Sequence, residues 1–142
     1  MGVKLYDPAS VIVAFGPNEL SGFAEGTMVR VERDEDTFTK KVGVDGECTR
    51  TRNMNRCGSV SVMLMATSSS NLVLSALHNA DELASNGVSV LPLIIKDNAG
   101  YSLHVAKEAW IRKPPASEHA KEAPEREWVF DTGPMTTVEG GN

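Results

Sequence analysis

The sequence feature that most constrains the fold is residues 37–56, two strand-like segments that carry almost no apolar side chains. Residues 37–44 alternate around one aromatic ring and two valines, and residues 49–56 alternate threonine or asparagine with arginine or methionine. Asp45-Gly46 between them is typical of a hairpin turn. A strand needs either a buried face or a paired backbone to be stable. Because these strands offer little for their own domain to bury, the pattern favours contact with another molecule, and assembly over catalysis.

Length and composition predict one soluble globular domain. The chain has 142 residues, of which 41% are hydrophobic and 23% charged, with a formal net charge of −5. That size allows a single modest core, and the acidic balance argues against a general binder of nucleic acid or anionic membranes. The first six residues contain no apolar segment of a signal peptide. No apolar run approaches the roughly 20 residues that span a membrane, so we expect no membrane partner.

Outside residues 37–56, strand patterns dominate the chain. They lie at residues 10–15, 28–33, 59–66, 88–96, 101–111 and 128–132. Pro92 predicts an edge position or a bulge in the fourth of these strands. We expect the core to come from residues 11–15 and 60–64, from one helix, and from the strands around Ile94 and Val105.

One helix is predicted at about residues 71–85. Apolar side chains recur there at helical spacing, namely Leu72, Val73, Ala76, Leu77, Ala80, Leu83 and Ala84. Hydroxyls at residues 68–70 are suited to capping its start, and Asn86-Gly87 is a stop signal. Residues 116–126 are either a short surface helix or a loop.

These elements predict a mainly β fold, an antiparallel β-sandwich or open barrel of seven or eight strands with one packed α-helix. Residues 10–132 form the domain, residues 1–9 an N-terminal arm, and residues 133–142 a flexible C-terminal tail.

No residue pattern indicates an active site or a cofactor. His78, His104 and His119 lack metal-ligand spacing. The acidic turn at residues 34–36 lacks EF-hand spacing, so a solvated turn is the better interpretation than a calcium site. Arg50, Arg52 and Arg56 are either a phosphate-binding face or solvated and paired arginines. Cys48 and Cys57 are read as reduced thiols, with a cross-strand disulfide as the alternative.

The order and spacing of several motifs closely resemble the tail tube proteins of contractile-tailed phages. The motifs occupy residues 22–27, 31–38, 43–47, 59–67, 69–71, 97–100, 109–114 and 126–128. Together they cover about residues 6–132. The chain most resembles the subset of phage structural proteins called the KGE family, which is related to the tube protein of the type VI secretion system.

The resemblance implies a phage tail-tube fold in a virion structural protein that is not an enzyme. In that family six subunits close into a ring, the inner strands form one barrel, and stacked rings make the conduit for DNA in a contractile tail. The implied partners are other copies of the chain, the tail sheath protein, baseplate and tail terminator proteins, the tape measure protein and, transiently, genomic DNA. The implied location is the virion, with assembly in the host cytoplasm.

One hypothesis about the assembly surface follows. The segment between residues 34 and 58 is expected to stack one ring on the next, with its arginines meeting acidic residues of a neighbour. The expected interface residues are Asp34, Glu35, Asp36, Lys40, Lys41, Arg50, Arg52 and Arg56. Alternation does not tell which side of these strands faces the channel, because both sides are polar.

The alternative function is a monomeric β-barrel binding module for a small ligand or single-stranded nucleic acid, which needs stacked aromatics and a basic groove.

Overall fold

The computed structural model describes residues 3, 11–24, 26, 28–84, 89–97, 102–122 and 124–140. Its strands are β1 (Val11–Phe15), β2 (Asn18–Glu19), β3 (Val29–Arg33), β4 (Phe38–Val42), β5 (Cys48–Arg52), β6 (Gly58–Met65), β7 (Leu91–Asp97), β8 (Ser102–Lys113), β9 (Glu125–Thr132) and β10 (Met135–Val138), and its helix is α1 (Ser70–Leu83). The expected arm at residues 1–9, apart from residue 3, and the helix stop at Asn86-Gly87 lie outside the described residues.

Seven strands form an antiparallel sheet in the order β2-β1-β7-β8-β9-β6-β3, and β10 is the eighth strand of this sheet, paired with β8. β8 is long enough to pair with β10 through its first half and with β9 through its last residues. Residues 22–24 follow β2 in the chain and form backbone hydrogen bonds to Met63 and Met65 of β6, with Phe23 paired to Leu64. These bonds join the β2 end of the sheet to β6, so the sheet curls. The result is the predicted mainly β open barrel with one helix.

Side chains from the strands of the large sheet and from α1 form the core. The largest fully buried ones are Trp128, Phe15, Phe130, Leu64, Leu74 and Leu93. The rings of Phe15 and Phe130 meet edge to face with their centroids 5.0 Å apart, a favourable arrangement for aromatic pairs. The alternation in β6 places Val60, Val62 and Leu64 inside, as the sequence predicts.

The helix is held by a narrow part of its surface. Only Ser70 and Leu74 are buried, and Leu77 packs against the core. The Asn71 side-chain oxygen accepts a hydrogen bond of 2.9 Å from the Trp128 indole. The N-cap residue Ser69 makes no side-chain cap bond. Instead the Ser68 hydroxyl accepts the Ser70 N–H, so only part of the predicted serine cap forms.

Four expectations need correction or sharpening. Met135 is buried and β10 pairs with β8, so the prediction of a flexible tail is wrong for Met135–Val138. Pro92 lies at a break in register between β7 and β8, which confirms the bulge, although β7 is a central strand. Residues 116–122 are irregular, and therefore a loop. Ile94 and Val105 are paired with each other on the outer face, and their strands contribute Leu93, Ile95 and Ala106 to the core instead.

Candidate assembly surfaces

The segment β4–β5 is a two-stranded hairpin separate from the barrel sheet, and we call it the hairpin (residues 38–52). All ten residues of its strands are exposed. The turn uses Gly46 at φ 87°, a conformation that favours glycine. The structure thus shows that these strands bury neither face in their own subunit. An isolated two-stranded ribbon is marginally stable at best. A partner surface that covers the hairpin would therefore stabilise it.

The two faces of the hairpin differ in chemistry. Directly paired residues share a face, so Phe38 with Arg52, Lys40 with Arg50, and Val42 with Cys48 form one side. The other side carries Thr39 with Thr51 and Lys41 with Thr49. The Arg50 guanidinium lies 4.5 Å from the centre of the Phe38 ring, a cation–π contact that orients the arginine. One face is therefore basic and apolar together, and the other is rich in threonine.

Side-chain amides fix the base of the hairpin. Glu35 accepts a 2.5 Å hydrogen bond from the Asn53 side chain, and the side-chain oxygens of Asn53 and Asn55 accept backbone N–H groups two residues ahead. Hydrogen bonds from Asn53 and then Asn55 lower the pKa of the exposed Glu35 carboxyl. Glu35 of the acidic turn therefore joins the segment that leads into the hairpin to the segment that leaves it, a role that the residue pattern does not indicate.

The predicted interface residues divide among three places. Lys40, Arg50 and Arg52 share the basic and apolar face, whereas Lys41 lies on the threonine face. Asp34, Glu35 and Asp36 are at the base of the hairpin. Arg56 lies beyond it, where its carbonyl accepts the Met135 N–H at 3.0 Å. Phe38 and Val42 are further interface candidates that the polar alternation did not indicate. These apolar side chains of one strand are 47% and 57% exposed, and exposed apolar surface marks interaction sites.

A second surface is the outer face of β3, β6, β9 and the end of β8, which we call the polar face. Cross-strand pairing brings its side chains into rows. They are Arg30, Glu32, Ser59, Ser61, Met63, Met65, Trp110, Arg112, Lys113, Glu125, Glu127, Val129 and Asp131.

Both arginines of the polar face are paired with carboxylates. Arg30 lies 3.5 Å from Glu32, and Arg112 donates two hydrogen bonds to Asp131. The hydrogen bond to Asp131, followed by its charge, raises the pKa of Arg112. Among the described residues, no cation lies within ion-pair distance of Glu127. The face is therefore acidic by one charge, and both of its arginines are already paired, whereas Lys113 is in no ion pair among the described residues.

The four-stranded section under the polar face has two open edges. Within the described part of the chain, β3 is the last strand of the sheet, and nothing pairs with residues 110–113 of β8 on the side away from β9. On the two sides of β3, the Met63 N–H donates to the Met28 carbonyl, and the Asp34 N–H donates to the Cys57 carbonyl. Even-numbered residues of β3 therefore bond to β6, and the N–H of Val31 points to the open edge. Unpaired backbone edges are templates for another chain.

Other kinds of site have little support within the described part of the chain. No group of three or more histidine, cysteine or acidic side chains comes together there that could hold a metal ion. No helix in that part is long and apolar enough to cross a membrane. Cys48 and Cys57 are both free thiols, in agreement with the first of the two interpretations. Phe15, Trp128 and Phe130 are buried in the core, where they cannot stack on bases.

Comparison with known proteins gives a consistent result. Residues 8–140 match the family model of the bacteriophage PhiTE tail tube protein. The chain is 40% identical to "Structural protein ORF10" of Pseudomonas phage KPP10 over 123 residues. This aligned region covers 87% of this chain and 71% of the relative.

Two solved structures share the fold at low sequence identity. The tube-terminating cap of the anti-feeding prophage has a TM-score of 0.65 and 12% identity, over 99% of this chain and 95% of the cap protein. A chain of the sheath–tube complex of an extracellular contractile injection system (PVC) has a TM-score of 0.60 and 10% identity, over 94% of this chain and 90% of that one.

The open β-barrel with one helix and a separate hairpin is the fold that the chain shares with a tube-terminating cap protein and with a chain of a sheath–tube complex. The chain belongs to the bacteriophage PhiTE tail tube protein family. It is thus a phage structural protein of the virion, and the family is not one of enzymes.

Proposed function

We propose that copies of this chain close into hexameric rings that stack into a hollow tube, the conduit for DNA in a contractile tail. The observation that carries the proposal is the four-stranded section with an open edge on each side, β3 on one and residues 110–113 on the other. Edge-to-edge pairing of neighbours around an axis closes a barrel and leaves no strand unpaired. The number six comes from the family resemblance.

The polar face lines the channel in this proposal. Its arginines are already paired with Glu32 and Asp131, so they are not free to hold phosphates. Glu125 and Glu127 outnumber Lys113, the remaining cation of the face, by one negative charge, and like charge repels the DNA backbone. A surface with this chemistry lets DNA slide past without binding it.

The hairpin stacks one ring on the next. Residues 37–56 contain five basic and two acidic side chains, a net charge of +3 in a chain of net charge −5. The remainder of the chain is therefore strongly acidic, and another copy of it is a complementary partner for the hairpin. A contact that repeats along an axis without closing gives a filament.

The further partners follow from this assembly. A tail sheath surrounds the tube, a terminator protein and a baseplate bind its ends, and the tape measure protein occupies the channel before DNA does. A solved relative of the same fold is described as part of a sheath–tube complex and another as a tube-terminating cap, which supports sheath and terminator partners. Assembly takes place in the host cytoplasm, and the tube then belongs to the virion.

Electron microscopy of an edge variant tests ring closure. Val31→Pro removes the N–H that points to the open edge, and it leaves the β3–β6 hydrogen bonds intact because those use the even-numbered residues. We expect the wild-type protein to form rings or rods in negative stain and Val31→Pro to remain a folded monomer.

Val31→Ala is the control, because it removes more of the side chain that packs against the core than Val31→Pro does and keeps the N–H. It should still assemble. Rods from Val31→Pro as abundant as those from Val31→Ala would contradict edge pairing, and a wild-type protein that stays monomeric at high concentration would contradict the proposed function altogether.

A further inference from the structure

The helix α1 turns an apolar stripe toward solvent. Leu72 and Leu83 are 77% and 88% exposed, and Val73 is 39% exposed. Ala76 and Ala80 lie between them at helical spacing and are exposed as well. A surface helix normally directs its apolar residues to the core and its polar residues outward. In α1 the core takes only Leu74 and Leu77, so these five residues, which we call the helix stripe, lack a partner in the described residues.

A second apolar surface lies on the outer face of β1, β7, β8 and β10, which we call the apolar face. The strand register places Ala14, Ile94 and Val105 in one row. Ile12, Lys96, Leu103 and Val138 form the next row. Ile94 and Val138 are 39% and 53% exposed. Contiguous apolar surface of this kind marks an interaction site.

The two surfaces differ in the charge at their margins. Lys96 is exposed within the apolar face. Glu82 is exposed beside the helix stripe, with 70% of its side chain accessible, and lies 3.7 Å from the ring nitrogen of His78. The helix stripe itself carries no charged side chain. Both surfaces are therefore apolar, and Lys96 and Glu82 carry opposite charges, although Glu19, which pairs with Ala14, adds one acidic residue at the end of the first row of the apolar face.

We propose that the helix stripe of one subunit packs on the apolar face of the next subunit in the ring. The two surfaces lie on different elements of one chain, so the contact is head-to-tail, and a closed ring covers both surfaces of every copy. This inference rests on the proposed ring. It adds a side-chain contact to edge pairing, which involves the backbone alone, and it places Glu82 where it can approach Lys96 of a neighbour.

Cross-linking between two single-cysteine variants tests the contact. In a Cys48→Ser, Cys57→Ser background, one preparation carries Ala76→Cys and the other carries Ile94→Cys. The two are mixed, assembled into rods and treated with a short bismaleimide. Each substitution is at an exposed position, so the fold should tolerate it. A mixture of Ala76→Cys with Glu32→Cys, which places the second thiol on the polar face, is the control.

The expected result is a covalent dimer at least about tenfold more abundant than in the control, because thiols held together in an assembly react at millimolar effective concentration. Rods that form normally and give no more dimer than the control would overturn this inference and leave the proposed function standing. Failure of the cysteine-free parent to form rings or rods would overturn both.

Discussion

At the residue scale, the sequence predicts the side chains of strands that are apolar on one face only. The alternation in β6 identifies Val60, Val62 and Leu64 because serine and methionine occupy the other face. It fails in β7, where Leu93, Ile94 and Ile95 are consecutive apolar residues. No periodicity can select an inward set from such a run. The choice depends on the bulge at Pro92 and on pairing with strands distant in the sequence.

Gly58 is predicted to be irreplaceable for steric reasons. A Cβ at this position would collide with the backbone carbonyl of Glu32 and with the Met135 side chain. The carbonyl belongs to the β3–β6 ladder and cannot move cheaply. Gly58→Ala should therefore lower the free energy of unfolding by about 1–3 kcal/mol, measured by thermal denaturation of the monomer.

Gly26→Ala is the control for that variant, because a Cβ at residue 26 meets nothing within 4 Å. Its midpoint of unfolding should stay close to that of the wild type. Equal midpoints for the two variants would show that the approach at Gly58 is less tight than the structure indicates.

His104 should make the fold sensitive to mild acid. Burial lowers the pKa of its imidazole, and the opposing influence of Glu139, 4.0 Å away, is smaller. A lowered pKa means that the unfolded chain binds the proton more readily. Stability is then complete above the ordinary histidine pKa of about 6.5 and falls as the pH drops through that value and below.

The measurement is the unfolding midpoint as a function of pH for the wild type and His104→Gln. The wild type should lose more stability than His104→Gln between about pH 7 and pH 5. His119→Gln in the exposed loop should behave as the wild type does. Parallel curves for all three proteins would exclude a contribution of His104.

At the element scale, the hairpin was predictable and its partner was not. The polar alternation of residues 37–56 and the Asp45-Gly46 turn indicate two strands without a core, and the structure shows them exposed. Which face is basic and apolar follows only from the register that pairs Phe38 with Arg52. The role of Glu35 was hidden for a similar reason, since it depends on a side-chain contact with Asn53, 18 residues away.

Charge reversal on the two faces of the hairpin should have unequal effects on stacking. Arg50→Glu changes the face that also carries Phe38 and Val42, and Lys41→Glu changes the threonine face by the same charge. We expect Arg50→Glu to raise the protein concentration needed for rod formation about tenfold, the equivalent of 1.4 kcal/mol per contact, with a smaller effect of Lys41→Glu. Sedimentation or rod length in negative stain provides the measurement.

Salt dependence gives an independent check of the same contact. Exposed charge pairs are screened over about 8 Å at physiological ionic strength and over shorter distances in more salt. Wild-type rods should therefore shorten as salt is raised, and rods of Arg50→Glu should respond less. Rod lengths that are the same for both variants and at all salt concentrations would rule out an electrostatic role for the hairpin.

At the scale of the whole molecule, three kinds of surface have no partner among the residues that the structure describes. They are the open edges of β3 and β8, the exposed hairpin, and the apolar pair formed by the helix stripe and the apolar face. The sequence predicted the fold class because strand patterns and one helix suffice for that. It assigned the helix an apolar side for the core, whereas most of that side faces outward, because helical periodicity identifies a stripe and not the surface that covers it.

A cryo-electron microscopy reconstruction of rods assembled from the purified chain tests the central claim most directly. The account predicts stacked rings around an open channel, with β3 of each subunit hydrogen-bonded to residues 110–113 of the next and with Glu127 and the Arg112–Asp131 pair facing the channel. Rods in which β3 remains unpaired, or in which the polar face points away from the axis, would contradict it.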